Sequence, residues 1–589
     1  MIELPTFAIF FAGAALLGVL PQRVHGAVML GVPLLALAHV ATLPLDASLP
    51  ASFFGFDVEV VRVDALSRAF GIVFAMAAFL AALYGLRLMR TGERAAVLVY
   101  IGSALGVVYA GDLLTLFAFW EIKAITSAAV IAAGATRWAA QAALRYLYVH
   151  VAGGTVLLAG VLIHLGETGS LAFDAFALDS VATWLILIGF AVGAAIPPLH
   201  AWIADAYPQA SVAGTVFLSA FTTKAGVYVL ARGFPGVELL VWLGVIMALY
   251  GVVFAVLENE IRRLLSYHIV SQVGFMVAAV GLGTELALNG AVAHAFAHII
   301  YKGLLLMGAG AVLYAAGTSR LTELGGLARK QPWVLVLFLI GAFSISGVPL
   351  FSGFVSKELS IEAAALLDRD VVEAGLKLAS VGTFLSITMK VTWFAWFGTD
   401  RGVAVRPVPA SMLTAMGLAA AINIGIGIYP APFYDLMPFA VDFEPYAVGQ
   451  ISTVLQLLAL TAVGFWLLVT VAAPKPALTL DLDWVYRGLP LVLTRRRAAA
   501  AREAAAPEAA APEAAPAAAA PATNPAAPAS SGARAAVARA LAPLAALQTQ
   551  LAKPSDRSLP NRADVVPTWA LGSVVLVIAV TLLGLGLVL

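Results

Sequence analysis

The chain has 589 residues, of which 62% are hydrophobic and 11% charged, with a formal net charge of +1 and a mean hydropathy of +0.96. That balance excludes a soluble globular domain and a basic nucleic-acid binder. Cysteine is absent, which excludes disulfides, thiolate metal sites and iron–sulfur clusters, so any redox chemistry must belong to a partner.

A window of about 19 residues places about sixteen hydrophobic segments along the chain. They run near 4–20, 24–44, 66–89, 95–110, 112–133, 138–165, 180–198, 209–231, 237–256 and 261–282. They continue near 286–315, 332–364, 373–397, 410–429, 447–472 and 567–589. The first twenty residues carry Glu3 and no Lys or Arg, so the first segment is expected to be a spanning helix rather than a secretion signal.

With the N-terminus outside, the inside loops take Arg23, Arg87, Arg90, Arg94, Arg137, Arg145, Arg262, Arg263, Arg320, Arg329, Lys330, Arg401 and Arg406. The outside loops keep only Arg62, Arg68, Arg232, Arg369 and Lys377. This bias follows the positive-inside rule and puts both termini outside. Residues 473–566 are an Ala/Pro-rich cytoplasmic linker, with an expected amphipathic surface helix in ARAAVARALAPLAALQTQLAK.

Five cations remain inside hydrophobic segments: Lys123, Lys224, Lys302, Lys357 and Lys390. All are lysine. Arginine stays protonated, whereas a desolvated lysine can release its proton near neutral pH, so the choice points to titration.

Two segments are interrupted. GAAIPPLHAWIADAYPQA and SISGVPLFSGFVSKEL both place Gly and Pro where a helix should continue, with Pro198 and Pro349 as equivalents. Proline removes a backbone donor and frees carbonyls for water or a side chain. Paired interruptions in two halves point to an ion path, the halves being segments four to eight and nine to thirteen.

The remaining charges are sorted by position. Glu121, in LLTLFAFWEIKAITSAAV, lies mid-span, where a charged group costs about 2.5–3.5 kcal/mol. It must pair with a lysine or stay protonated. Lys123, two positions on, points to another side of the helix. Lys357 follows the second interruption, with Glu358 beside it, and Lys390 is within snorkelling reach of an interface. In AVAHAFAHIIYKGLLL, His294, His298 and Lys302 advance about 400° per step and so form one stripe. Each lies about 6 Å above the last, within reach of one bridging water. Such a stripe is a proton wire in outline. His268 can add to the same polar axis. A zinc site is disfavoured, because two histidines need further ligands and no cysteine exists.

The stretches PLHAWIADAYPQASVAGTVFLSAFTTKAGVY, ENEIRRLLSYHIVSQVGFM, HAFAHIIYKGLLL, GVPLFSGFVSKE and FAFWE carry a resemblance across residues 95–400. The chain resembles the antiporter-like subunits shared by Mrp-type Na⁺/H⁺ antiporters and respiratory complex I, with the Mrp antiporters as the nearest branch. The resemblance implies an all-α polytopic membrane fold of about 14 core transmembrane helices in two inverted five-helix repeats, with two broken helices and extra C-terminal helices. It implies N-terminal membrane helices in 1–94, a proton-conducting core in 95–400 and C-terminal core helices in 401–472. The linker 473–566 and a final membrane helix, 567–589, follow. It also matches Glu121 to an essential glutamate, Lys224 to a central lysine, His294, His298 and Lys302 to the connecting stripe, and Lys357 to the terminal lysine. One position departs. Where the family has a lysine that pairs with the glutamate, IGFAVGAAIPPLH has Gly193. Three outcomes stay open: Lys123 substitutes, a water-filled gap beside Gly193 leaves Glu121 protonated, or pumping is lost.

The function expected from this resemblance is proton translocation coupled to monovalent-cation antiport in a bacterial inner membrane. Other membrane subunits would be partners, protons and Na⁺ the transported ions, and no cofactor would be needed. The alternatives are a proton-conducting subunit of a complex I-like or hydrogenase-like respiratory complex, one of an inorganic-carbon uptake complex, and a structural anchor that has lost transport.

Overall fold

The computed structural model describes residues 4–53, 55–467, 469–470, 473–475 and 481–482. The expected linker lies outside them but for five residues, and the expected last span lies wholly outside. Among the described residues, twelve helices are long and apolar enough to cross a membrane, from Gln22–Thr42 to Val448–Leu467. Three shorter apolar helices accompany them, Thr6–Val19, Val181–Ala194 and Pro332–Ile345. The chain is a multi-pass, all-α membrane protein.

The helix ends show why the segments start and stop where they do. Asp64, Asp112, Thr136, Ser180 and Thr284 each accept a hydrogen bond from a first-turn backbone N–H. Those donors have no partner within the helix, and hydrocarbon offers none. Gly169, Gly283 and Gly317 close three helices in the left-handed conformation that glycine adopts without strain.

Between residues 91 and 397 one order of elements occurs twice. Thr91–Tyr109, Leu113–Ala132, the 32-residue helix Arg137–Thr168, an interrupted helix and Gly214–Gly233 form the first set. Glu238–Leu257, Ile261–Leu282, the 32-residue helix Glu285–Ala316, a second interrupted helix and Asp370–Phe397 form the other. The first interruption separates Val181–Ala194 from Trp202–Ala206, and the second separates Pro332–Ile345 from Ser352–Ala365. Pro198 and Pro349 both sit in these gaps. Ala195, Gly347 and Leu350 turn the chain there with positive φ of 58°, 73° and 75°. The carbonyls so released are taken up by side chains, Val192 O by the Trp202 indole at 3.1 Å and Ile345 O by Lys357 Nζ at 2.5 Å.

Several placements differ from the hydropathy map. Residues 48–62 form a β-hairpin, Ser48–Phe53 paired antiparallel with Phe56–Arg62, where the sequence reading has only a loop. Arg145 is not in a loop but in the third turn of Arg137–Thr168, bonded to buried Asp205. Lys377 is likewise helical and pairs with Glu373 one turn earlier. Both charges are neutralised by a partner, which is why apolar helices tolerate them. From Phe384 to Phe397 the last helix of the second set is wound as wider π turns.

A buried row of ionisable side chains

The row starts on Leu113–Ala132. Glu121 is partly buried, and its carboxylate lies over Gly154 of the neighbouring long helix, where any Cβ would collide with Oε1. Lys123, two positions on, is fully buried with Nζ 3.4 Å above the centre of the Trp120 ring. Trp120 also fills the space beside Gly193, since a Cβ there would stand 2.5 Å from its ring. Of the three outcomes open at Gly193, the water-filled gap is disfavoured, because the space beside the glycine is taken by the Trp120 indole.

Lys224 follows on Gly214–Gly233. It is fully buried, and Nζ donates to Ser219 O at 2.8 Å and to Thr223 Oγ1 at 3.1 Å. Gly226, half a turn on, lets this helix press against the end of the first broken helix, with a Cβ there 2.5 Å from Ala194 N.

The stripe on Glu285–Ala316 is as the spacing requires. His294, His298 and Lys302 are all fully buried, and the two imidazole rings are 6.2 Å apart. His294 meets Ser356 Oγ at 3.2 Å through Nδ1 and Tyr301 Oη at 3.4 Å through Nε2. Tyr301 Oη also lies 3.4 Å from Gln272 Oε1. His298 and Lys302 have no hydrogen-bond partner among the described residues. The charges of Lys224, Lys302 and Lys357 all act on His298, so the histidine joins the three lysines electrostatically.

Lys357 ends the row at the second interruption, 1% exposed. Besides Ile345 O it reaches Ser380 Oγ at 3.4 Å, and Nζ lies 5.0 Å from the Phe275 ring centre. Glu358 beside it lines a small cleft with Ser346, Gly347, Lys377, Ser380 and Thr453. His268 is buried next to the row, its Nε2 2.7 Å from Ser386 Oγ. Lys390 stands apart. It does not snorkel, being 2% exposed, and Nζ caps the end of Glu238–Leu257 by donating to Val256 O and Glu258 O at 2.5 and 2.8 Å.

Sequence reasoning missed the hydroxyls that link these groups. Ser127 Oγ donates to Tyr146 Oη at 2.9 Å, and Tyr146 Oη lies 3.4 Å from Thr222 Oγ1, two residues before Lys224. It also missed His150, buried on the same stripe as Tyr146 and Gly154, with its ring 4.1 Å from Tyr146. The signal was present, a histidine four residues from each in an apolar run, as in the stripe at 294–302.

A row of buried amines, imidazoles and carboxyls within apolar helices defines a class of polytopic membrane protein with an ionisable interior. The model for a transmembrane family described as NADH:quinone oxidoreductase/Mrp antiporter matches residues 110–386. The chain is 32% identical over 318 residues to the D subunit of the Na(+)/H(+) antiporter of Alkalihalophilus pseudofirmus, covering 50% of this chain and 64% of that relative. It is 31% identical over 355 residues to the NADH-quinone oxidoreductase subunit N of Desulforudis audaxviator, covering 55% of this chain and 70% of that one. Its fold matches a chain in the structure of the Mrp complex from Dietzia sp. DQ12-45-1b with a TM-score of 0.62 at 23% identity, over 77% of this chain and 95% of that one. The chain belongs to the NADH:quinone oxidoreductase/Mrp antiporter transmembrane family.

Proposed function

We propose that the chain is the proton-translocating, D-type subunit of a multisubunit Mrp-type antiporter that exchanges monovalent cations, Na⁺ among them, for protons. The observation that carries this reading is the set of buried ionisable groups Lys224, His294, His298, Lys302 and Lys357, with the two imidazoles 6.2 Å apart and His294 bonded to Ser356, the residue before Lys357. A protonated site repels the next proton, so each arrival drives a departure further along. Glu121 would load the row and Lys357, beside the cleft at Glu358, would unload it. The two sets of five spans would be related by inversion, because an odd number of crossings reverses the second. The protein would sit in a bacterial inner membrane with its N-terminus outside, alongside other membrane subunits. Any redox chemistry would lie in those partners.

The test is proton movement in membrane vesicles holding the assembled complex, followed with a pH-sensitive dye after a Na⁺ or K⁺ pulse. Glu121→Gln and Lys224→Ala are each expected to abolish the signal at unchanged complex abundance. Wild-type signals in both variants overturn the proposal.

A second reading is favoured by the likeness to a quinone oxidoreductase subunit over 70% of that relative. In it the same row is driven by a redox partner. Flavin or iron–sulfur absorbance in the purified complex, with proton movement that follows electron donors and ignores cation pulses, would favour this reading.

A further inference from the structure

At the start of the row three ionisable groups on two neighbouring helices have polar atoms without a hydrogen-bond partner among the described residues. These atoms are Glu121 Oε1, Lys123 Nζ and both ring nitrogens of His150. Lys123 and His150 are 0% and 1% exposed. Glu121 lies over Gly154, one turn from His150 on the neighbouring helix, and Lys123 shares the helix of Glu121. An unpartnered ammonium so deeply buried costs several kcal/mol unless something compensates it. One compensation is in view, the face of Trp120, 3.4 Å below Nζ, in the geometry of a cation–π contact. That seat has a steric condition. The indole can lie where it does only because position 193 has no side chain, since any Cβ there would stand 2.5 Å from the ring. Gly193, Trp120 and Lys123 are therefore one arrangement, in which a glycine on one helix makes room for the seat of a lysine on another.

We propose that Lys123, seated on Trp120, is the proton acceptor for Glu121 and passes the proton towards Lys224 through Ser127, Tyr146 and Thr222; this rests on the proton-translocating reading above. In the first step the Glu121 O–H bond breaks and an N–H bond forms on the neutral Lys123 amine, leaving a carboxylate beside an ammonium. In the second the ammonium gives up one proton and is an amine again. Ser127 stands one turn from Lys123 on the same face. Each hydroxyl in the chain takes one proton and releases its own, across separations of 2.9 Å from Ser127 to Tyr146 and 3.4 Å from Tyr146 to Thr222. Thr223, next to Thr222, is 3.1 Å from Lys224 Nζ. The His150 ring packs on Tyr146 at 4.1 Å and on Trp202 at 4.6 Å, which keeps it beside the hydroxyl chain.

The experiment compares three variants of the full chain in the assembled complex, with flux normalised to complex recovered from the membrane. Lys123→Met keeps the volume and removes the amine, and is expected to lose flux to the level of Lys224→Ala. The triple variant Trp120→Ala/Lys123→Met/Gly193→Lys removes the indole and returns an amine from the opposite helix. It is expected to recover a clear part of the lost flux. Wild-type flux in Lys123→Met, while Lys224→Ala has none, overturns the role of Lys123 and leaves the wider reading intact. Wild-type flux in Lys224→Ala as well overturns both. If Lys123→Met fails to assemble, the triple variant decides. Flux supports the proposal, and an assembled but inactive complex overturns it.

Discussion

Arg145 holds Asp205 through two parallel hydrogen bonds, Nε to Oδ2 at 2.7 Å and a terminal nitrogen to Oδ1 at 2.8 Å, across 60 residues of sequence. The pair fastens the long helix Arg137–Thr168 to the short helix that follows the first interruption. Asp205 is 3% exposed. Arg145→Leu is expected to cost about 3 kcal/mol, the usual result of removing one member of a buried ion pair. The double variant with Asp205→Leu should recover much of that. Thermal unfolding of the purified protein in detergent checks both, and a single variant as stable as wild type contradicts the assignment.

Lys390 and Lys302 are both buried lysines in spanning helices, and they should part ways on substitution. Lys390→Ala removes the donor from two helix-end carbonyls, and is expected to lower stability by about 1–3 kcal/mol while proton flux per complex persists. Lys302→Ala should do the reverse, abolishing flux with little loss of stability. Equal effects on flux would mean that the capping contacts of Lys390 do not set it apart from the row.

His298 is the junction on which three lysine charges act. Its replacement by Ala is expected to slow flux by about a hundredfold, the lower range for loss of a positioned proton-transfer group. His298→Gln, which keeps hydrogen bonding but cannot titrate, should be as slow. Rapid flux through His298→Gln would show that the site only positions solvent.

One pH effect arises outside the spanning segments. Asp64 caps the helix Ala65–Gly85 and pairs with Arg232 at 2.5 Å. Burial raises its carboxyl, but the Arg232 charge and the hydrogen bonds from Ser67 and Arg232 outweigh this and hold it below 3.8. A depressed carboxyl stabilises the fold above its unfolded value and loses that contribution as pH falls through its folded value. The stability gap between wild type and Asp64→Asn should therefore be constant down to about pH 5 and close at more acid pH. A gap that widens on acidification contradicts the sign.

The spans, the two interruptions and the stripe at 294–302 were legible because each rests on local sequence: apolar length, proline, and a four-residue interval. The hairpin at 48–62 was not, although FDVEVVR has the alternation of a strand, because a hydropathy scan tuned to spans of about 20 residues passes over a short one. Pairings across long separations were also out of reach. Arg145 with Asp205, and Ser127 with Tyr146 and Thr222, become neighbours only once the helices pack. Lys390 shows the limit most clearly. Its surroundings in sequence resemble those of Lys302, and only the nearby end of another helix makes it a cap.

The row itself sets four amines, on Lys123, Lys224, Lys302 and Lys357, against two carboxyls, on Glu121 and Glu358. An interior with that imbalance cannot fill every position at once without building up repulsion that nothing nearby cancels. On the proposed reading, a proton in this row advances only after the site ahead of it has emptied, like a vessel in a canal with too few open locks.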